Sequence, residues 1–176
     1  VTDICDDGIS VGVLEADFTG EAPWTITLDR PYASDTIYTD ITQDPFTLNV
    51  RDQWRYRIIA ISDKNCIGDT TGSGSVYVSH QESPAATIAG TDTICPGDTA
   101  HLTVTLTEGT LPWQFTYTID GLNPTTITNI TETSYTLEVY DAGVYELESV
   151  QDPLCTGRTS GTGNIYYYSL PTARLT

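Results

Sequence analysis

Four cysteines and two histidines are the residues of this chain best suited to do chemistry. Paired cysteines form disulfides, and cysteines combined with histidines bind zinc. The cysteines form two groups with spacings of 61 residues (66 − 5) and 60 residues (155 − 95): Cys5 and Cys66, and Cys95 and Cys155. Because no C-x2-C pair occurs and the histidines His80 and His101 stand alone, the pattern favours disulfides over zinc. Four cysteines still allow three connectivities.

Motifs for catalysis do not occur in the sequence. Neither G-x-S-x-G nor H-E-x-x-H is present. The abundant serines and threonines need no catalytic explanation, because such residues are expected on the solvent-exposed faces of strands. We therefore predict no catalytic residues, no cofactor and no enzymatic activity. The best metal candidates are carboxylates at the start of each half of the chain: Asp3, Asp6, Asp7, Asp92 and Asp98. Calcium takes about 6–8 oxygen ligands, usually several from one loop. Since no such dense loop is present, we predict no metal site, and a calcium ion at the joint between the halves is the alternative.

The chain is strongly acidic, with 24 Asp and Glu residues against 7 Lys and Arg residues and a net charge of −17. Such a chain is a poor binder of nucleic acid, because phosphate contacts need Lys and Arg, and of anionic membrane surfaces. Its 39% hydrophobic content is too high for a disordered acidic tail. No apolar run approaches the roughly 18 residues of a membrane-spanning helix. The sequence begins Val1-Thr2-Asp3 rather than with Met, so we expect a piece of a longer protein.

The sequence contains the same module twice. The repeated residues, with the offset between copies, are Trp24 and Trp113 (113 − 24 = 89), Cys66 and Cys155 (155 − 66 = 89), and Cys5 and Cys95 (95 − 5 = 90). The nearly constant offset indicates a duplication with almost no insertions. We predict modules at 1–84 and 85–176, joined by a short, semi-rigid linker. The last residues, Leu170–Leu175, repeat the linker sequence Ser83–Ile88.

The duplication favours one disulfide per module, Cys5–Cys66 and Cys95–Cys155. Each bond would tie the first strand of a module to the turn before its last strand. Closing a loop of about 60 residues contributes a few kcal/mol in the chain-entropy model. Disulfides persist in oxidising compartments, so we expect an extracytoplasmic protein.

Apolar residues alternate with polar ones in both modules, as in Leu102–Thr107 and Val144–Val150. Alternation with period two over several residues predicts strands with one buried face. Turn residues such as those of Asp120-Gly121 separate the runs. The predicted strands are 2–5, 9–18, 24–29, 35–41, 45–51, 54–62 and 73–79 in module one, and 91–95, 99–107, 113–119, 125–130, 134–139, 143–152 and 162–168 in module two. About seven strands per module predict two tandem antiparallel β-sandwiches of an all-β protein.

The run Asp141-Ala142-Gly143-Val144-Tyr145 resembles the tyrosine corner of immunoglobulin-like domains, in which the Tyr hydroxyl binds nearby backbone. Tyr56 takes the same place in module one. These domains have a Cys two residues after that Tyr, whereas this chain has Leu147 and Ile58 there. The antibody-type disulfide is therefore absent, and aliphatic packing must close the core. We predict structural roles for both tyrosines and an immunoglobulin-like sandwich for each module.

The repeated tryptophans, Trp24 and Trp113, each follow a proline and open a strand. Their duplication favours packing in the core, and an exposed platform for sugar stacking is the alternative. Trp54, Tyr32 and the run Tyr166–Tyr168 have no such duplication and are candidates for exposed aromatic contacts. Neighbouring strand residues point to opposite faces, so at least one tyrosine of the run lies away from the core.

Several segments together are similar to Ig/PKD-like repeats of giant surface proteins of Bacteroidetes, such as the SprB-type gliding adhesins. These segments are Ile94–Ala100, Leu102–Thr107, Gly109–Trp113, Ala142–Tyr145 and Ser149–Gly157. The resemblance implies export by the type IX secretion system and a place at the cell surface. It implies a non-enzymatic stalk or filament in adhesion and gliding motility, with neighbouring repeats of the same chain as partners.

Two other functions remain open from the sequence. One is an adhesive module that binds surface glycans or other cell-surface proteins through exposed aromatic residues. The other is an accessory domain of a secreted hydrolase. We expect no nucleic-acid partner and no direct membrane insertion for any of them.

Overall fold

The computed structural model describes residues 2–30 and 34–175 and is all-β in this part of the chain. It divides into two compact units, Val1–Gln81 and Glu82–Thr176, and the division falls three residues before the boundary predicted after residue 84. None of the described residues forms a helix that could cross a membrane.

Unit 1 contains eight strands in its described residues. They are β1 (Thr2–Cys5), β2 (Gly12–Ala16), β3 (Trp24–Leu28), β4 (Thr36–Ile41), β5 (Phe46–Val50), β6 (Trp54–Tyr56), β7 (Ile58–Ser62) and β8 (Val76–Gln81). They form three sheets with the orders β1-β8-β6, β2-β5 and β4-β3-β7. The predicted strand 54–62 is split at Arg57, because β6 pairs with β8 while β7 pairs with β3.

Unit 2 contains the remaining strands. They are β9 (Ala85–Ile94), β10 (Ala100–Thr107), β11 (Trp113–Ile119), β12 (Leu122–Ile130), β13 (Ser134–Val139), β14 (Gly143–Gln151), β15 (Arg158–Ser160) and β16 (Gly163–Tyr167). The pairing order is β12-β11-β14-β16-β9-β10-β13, and β15 also pairs with β9.

Strand β9 belongs to both faces of the unit 2 sandwich. Its first half runs antiparallel to β10, and its second half, from Gly90 on, runs parallel to β16. Gly90 has a φ of 137°, and a Cβ there would lie 2.8 Å from the Leu102 side chain. Glycine at this point therefore lets the strand change sheets without a clash.

The first half of β9 lies in the stretch Ser83–Ile88, for which the sequence predicts a linker. This half pairs with β10 as a strand, and its burial alternates: Ala86 and Ile88 are buried while Thr87 between them is exposed. The structure thus places this segment inside the sandwich of unit 2 and not between the units.

Alternating burial builds the core of unit 2. Along β10 the residues Ala100, Leu102, Val104 and Leu106 are fully buried, and the residues between them are exposed. Strands from both faces contribute to one cluster that includes Trp113, Phe115 and Tyr145. The all-β sandwich predicted from period-two patterning is confirmed.

The buried side chains of unit 1 form two clusters. One surrounds Leu14, Leu48 and Tyr56, and the other surrounds Phe18 and Trp24, whose ring centroids lie 5.4 Å apart. The core of unit 1 is therefore apolar like that of unit 2, but it is divided into two smaller clusters.

Candidate functional site

The two corner tyrosines are buried and bind backbone four residues earlier. The Tyr145 hydroxyl donates to the Asp141 carbonyl at 2.8 Å, and the Tyr56 hydroxyl donates to the Asp52 carbonyl at 3.0 Å. Burial raises the pKa of Tyr145 to about 12, and burial, helped by the charge of Asp52, raises the pKa of Tyr56. These hydroxyls fix the chain where it enters β14 and β6.

The repeated tryptophans lie in the cores of their units. Trp24 and Trp113 are 7% and 6% exposed. Each indole Nε1 donates to a carbonyl five residues earlier, that of Thr19 at 3.0 Å and that of Glu108 at 2.9 Å. A sugar ring cannot stack on indoles buried in this way, so their geometry favours packing.

An aspartate in each unit organises the turn that carries the second cysteine. Asp152 accepts hydrogen bonds from the amides of Thr110, Leu154 and Cys155 at 2.6–2.8 Å. Its sequence counterpart Asp63 makes the same set, and these amides lower its pKa. No catalytic or metal-binding pattern in the sequence includes either aspartate, and the repetition of this residue in both copies is the signal that could identify them.

The predicted pairs Cys5–Cys66 and Cys95–Cys155 are wrong. Cys66 and Cys95 are exposed free thiols, and Cys5 and Cys155 are disulfide-bonded. The presence of a disulfide, as distinct from its pairing, agrees with the sequence analysis.

Strand direction explains why the cysteines of one module do not meet. In unit 1, β1 runs parallel to β8 and brings Cys5 beside Gln81, the last residue of β8. The segment from Trp54 to Ser62 starts antiparallel to β8 and carries the chain away from that end before it reaches Cys66. Nine extended residues span on the order of 25–30 Å, and a disulfide needs Cα atoms within about 7 Å.

The same separation occurs in unit 2. The Arg158 amide donates to the Pro84 carbonyl at 3.0 Å, so the turn containing Cys155 lies where β9 begins. Cys95 directly follows the last residue of β9. The ten residues of β9 therefore separate the two cysteines by roughly 30 Å.

Three of the five carboxylates considered for calcium accept hydrogen bonds from nearby residues. Asp7 accepts hydrogen bonds from Ser10 and Ile9, which lower its pKa to about 2. Asp3 accepts one from the Ser79 hydroxyl, and Asp92 accepts one from the Thr93 amide. Over residues 2–30 and 34–175, no group of three His, Cys, Asp or Glu side chains could hold a metal ion.

The aromatic candidates differ in exposure. Tyr166 and Tyr168 are 55% and 59% exposed, and the Tyr167 hydroxyl between them donates to the Tyr140 carbonyl at 3.1 Å. Trp54 is half-buried against the core of unit 1. Tyr32 lies outside the described residues.

A family profile matches unit 2 across most of its strands. Residues 85–163 match the family described as Nucleoporin POM152, Ig-like domain, which covers 79 of the 176 residues. No curated protein matches the chain. The matched range contains the tyrosine corner, and the match supports an Ig-like repeat.

Proposed function

We propose that this chain consists of non-enzymatic repeat modules of a large secreted or surface-anchored bacterial adhesin. In this role the modules form part of a stalk or filament in cell-surface adhesion and gliding motility. The observation that carries the proposal is the duplication: two copies at a nearly constant offset each fold as a compact unit around the same corner and turn.

The geometry that the two copies share serves packing rather than chemistry. The buried Tyr and Trp side chains and the turn aspartates all bind backbone within their own unit. The ring of His80 lies 2.6 Å from the Arg51 carbonyl, and His101 is an exposed side chain of β10. Ig-like families are typically non-catalytic, which is consistent with this use of the residues.

A position outside the cytoplasm follows from the same proposal. A disulfide persists in an oxidising compartment, and the net charge of −17 keeps neighbouring repeats soluble and apart. The partners in this proposal are neighbouring repeats of the same chain.

The location is tested on intact cells of the source organism with an antibody against these modules. Surface modules bind the antibody without permeabilisation and are removed by external protease, while a cytoplasmic marker stays unlabelled. Labelling that requires permeabilised cells would contradict the surface location. Deleting one module should then reduce adhesion or gliding without loss of the remaining protein from the surface.

Sugar binding at the exposed tyrosines is a second candidate function. The observation that favours it is the exposure of Tyr166 and Tyr168 at the end of β16, since tyrosine faces stack on sugar rings. A glycan array with the wild-type chain and Tyr166→Ala tests it. Tyr77→Ala is the matched control, because Tyr77 is the sequence counterpart of Tyr166 in unit 1. Equal signals for the wild type and Tyr166→Ala would remove this candidate.

A further inference from the structure

A cavity opens beside the tyrosine corner of unit 1, between the sheet that contains β3 and β4 and the end of β5. Its volume is about 340 Å³, which lies within the range of roughly 300–1,000 Å³ of small-molecule sites. The corner tyrosine itself, Tyr56, is part of its wall. Other lining residues are the apolar Leu28, Tyr38 and Val50 and the charged Arg30, Arg51 and Asp52. The cavity is large enough for one ring-sized molecule.

Two arginines line this cavity, and neighbouring groups hold each of them. One terminal nitrogen of Arg30 donates to the Thr36 hydroxyl at 3.3 Å, and the other lies 3.6 Å from an Asp52 carboxylate oxygen. The Arg51 guanidinium donates to the Gly8 carbonyl at 3.1 Å. A guanidinium has five N–H donors. Both arginines therefore keep donors for a ligand.

The contact between Arg30 and Asp52 leaves the cavity with an excess of positive charge. The two side chains are 42% and 57% exposed, and their separation of 3.6 Å is longer than a hydrogen bond. Exposed pairs of this kind are weak. Arg51 adds a second cation, so the lining carries two positive charges and one negative charge in a chain of net charge −17. This local excess favours a ligand with a single negative charge.

The repeat shows that the fold of the corner does not require these arginines. At the offset of 89 residues, the unit 2 counterparts are Ile119 for Arg30, Tyr140 for Arg51 and Tyr117 for Leu28. Ile119 and Tyr117 pack against the core of unit 2, and the Tyr117 ring lies 6.1 Å from that of the corner residue Tyr145. Leu28 is smaller than a tyrosine and leaves space beside the corner of unit 1. Unit 1 thus combines an open space with two cations that unit 2 lacks at the same places.

We propose that this cavity binds the carboxylate of a uronic acid, the acidic form of a hexose. A carboxylate accepts paired, charge-assisted hydrogen bonds from a guanidinium. The ring hydroxyls both donate and accept, which suits the polar lining residues Asn49 and Asp52, and the C–H groups of the ring pack on Leu28 and Tyr38. Asp52 repels a second negative charge and so disfavours a dianion such as phosphate.

This binding site goes beyond the stalk role and shares no residue with the exposed tyrosines of β16. The test is a titration of the full isotope-labelled chain with methyl glucuronide and methyl galacturonide, followed by the amide NMR signals of residues 49–52. Methyl glucoside and methyl galactoside are the neutral controls. We expect saturable shifts with at least one uronide and binding of the matching neutral sugar about tenfold weaker or less, because the charge-assisted hydrogen bonds are lost.

Two further probes separate a sugar site from a general anion site. These are inorganic phosphate and the peptide Gly-Glu-Gly, and we expect both to bind several-fold more weakly than the uronide. Phosphate or the peptide binding as tightly as the uronide would overturn the assignment to a sugar. The absence of a saturable shift with either uronide would overturn the proposal as a whole.

An exchange of residues between the units tests the role of charge. Arg30→Ile introduces the residue that unit 2 has at this place and should weaken uronide binding about tenfold or more. Arg55→Ile is the matched control, because it removes the same charge from an exposed side chain of β6 that does not line the cavity. It should leave binding within about twofold. Equal binding by the wild type and Arg30→Ile would refute the proposal.

A second exchange tests the cavity with both arginines in place. Leu28→Tyr introduces the unit 2 residue and fills the space, so it should also weaken uronide binding about tenfold or more. Leu28→Met is its control, since it nearly conserves side-chain volume. The amide spectrum of each variant shows whether unit 1 is folded. A folded Leu28→Tyr variant that binds like the wild type would place the uronide on the open surface and overturn the assignment to the cavity.

Discussion

The Tyr145 hydroxyl offers the sharpest test of how the Ig-like unit is held together. Its side chain is 1% exposed, and the hydroxyl donates to the Asp141 carbonyl at 2.8 Å. Tyr145→Phe removes this hydrogen bond and keeps the ring in the core. A typical intramolecular hydrogen bond contributes about 0.5–1.5 kcal/mol. Because Asp141 is exposed, water can satisfy the vacated carbonyl, so we expect a loss of about 1 kcal/mol.

The assay is thermal and urea unfolding followed by circular dichroism. For a unit of this size about 1 kcal/mol lowers Tm by roughly 4–8 °C. Tyr140→Phe is the matched control, because Tyr140 is 53% exposed, and its change should stay within about 0.5 kcal/mol. The interpretation of the corner as a stabilising contact is refuted if Tyr145→Phe is as stable as the wild type at pH 7.

The Tyr145 hydroxyl also makes the stability of unit 2 depend on pH, and the direction of this dependence follows from its pKa. The pKa of Tyr145 is raised from its ordinary value of 10.0 to about 12 in the folded unit, mainly by burial. The folded state therefore favours the protonated phenol more than the unfolded state does. The resulting stability is fully present below about pH 10 and is lost as the pH rises toward 12. Tyr145→Phe should lose less stability than the wild type over that window, and equal slopes would contradict this reasoning.

Three further predictions concern the turns and the thiols. Gly161→Ala should destabilise the chain by at least about 2 kcal/mol more than Gly72→Ala in urea unfolding, since both residues have a positive φ but only Gly161 faces a backbone carbonyl. Asp152→Ala should lower Tm by roughly 4 °C or more in a thermal melt, because three amides lose their acceptor. A thiol reagent should modify Cys66 and Cys95 in the native chain before reduction, and modification of four cysteines without reductant would contradict the structure.

The strands could be predicted because burial with period two is a local property. The run from Ala100 to Thr107 alternates in sequence and alternates in the same way in the structure. The half-strand Ala85–Ala89 could not be predicted in this way, because small residues give a weak alternation and Pro84 and Gly90 are typical of a linker. Gly90 is instead the point at which β9 changes sheets.

The cysteine pairing could not be derived from spacing. The spacings 61 and 60 are equal within one residue because the module is duplicated, and this equality holds whatever the cysteines bind. What decides the pairing is strand direction: the parallel alignment of β1 with β8 sends Cys5 to the end opposite Cys66. Parallel pairing of the first and last strands of a module is a tertiary contact, and nothing local in the sequence reports it.

The position of β9 also shows that the second module includes the segment that looks like a linker. Only residues 82–84 separate the end of β8 from the start of β9. The segment that looks like a linker therefore supplies buried side chains to the following core, Ala86 and Ile88 in unit 2. Lengthening it by insertion would leave these side chains in place only if the added residues loop out before Pro84. Deleting Thr87 instead would make Ala86 and Ile88 neighbours, and one of the two would then leave the core because neighbouring strand residues point to opposite faces.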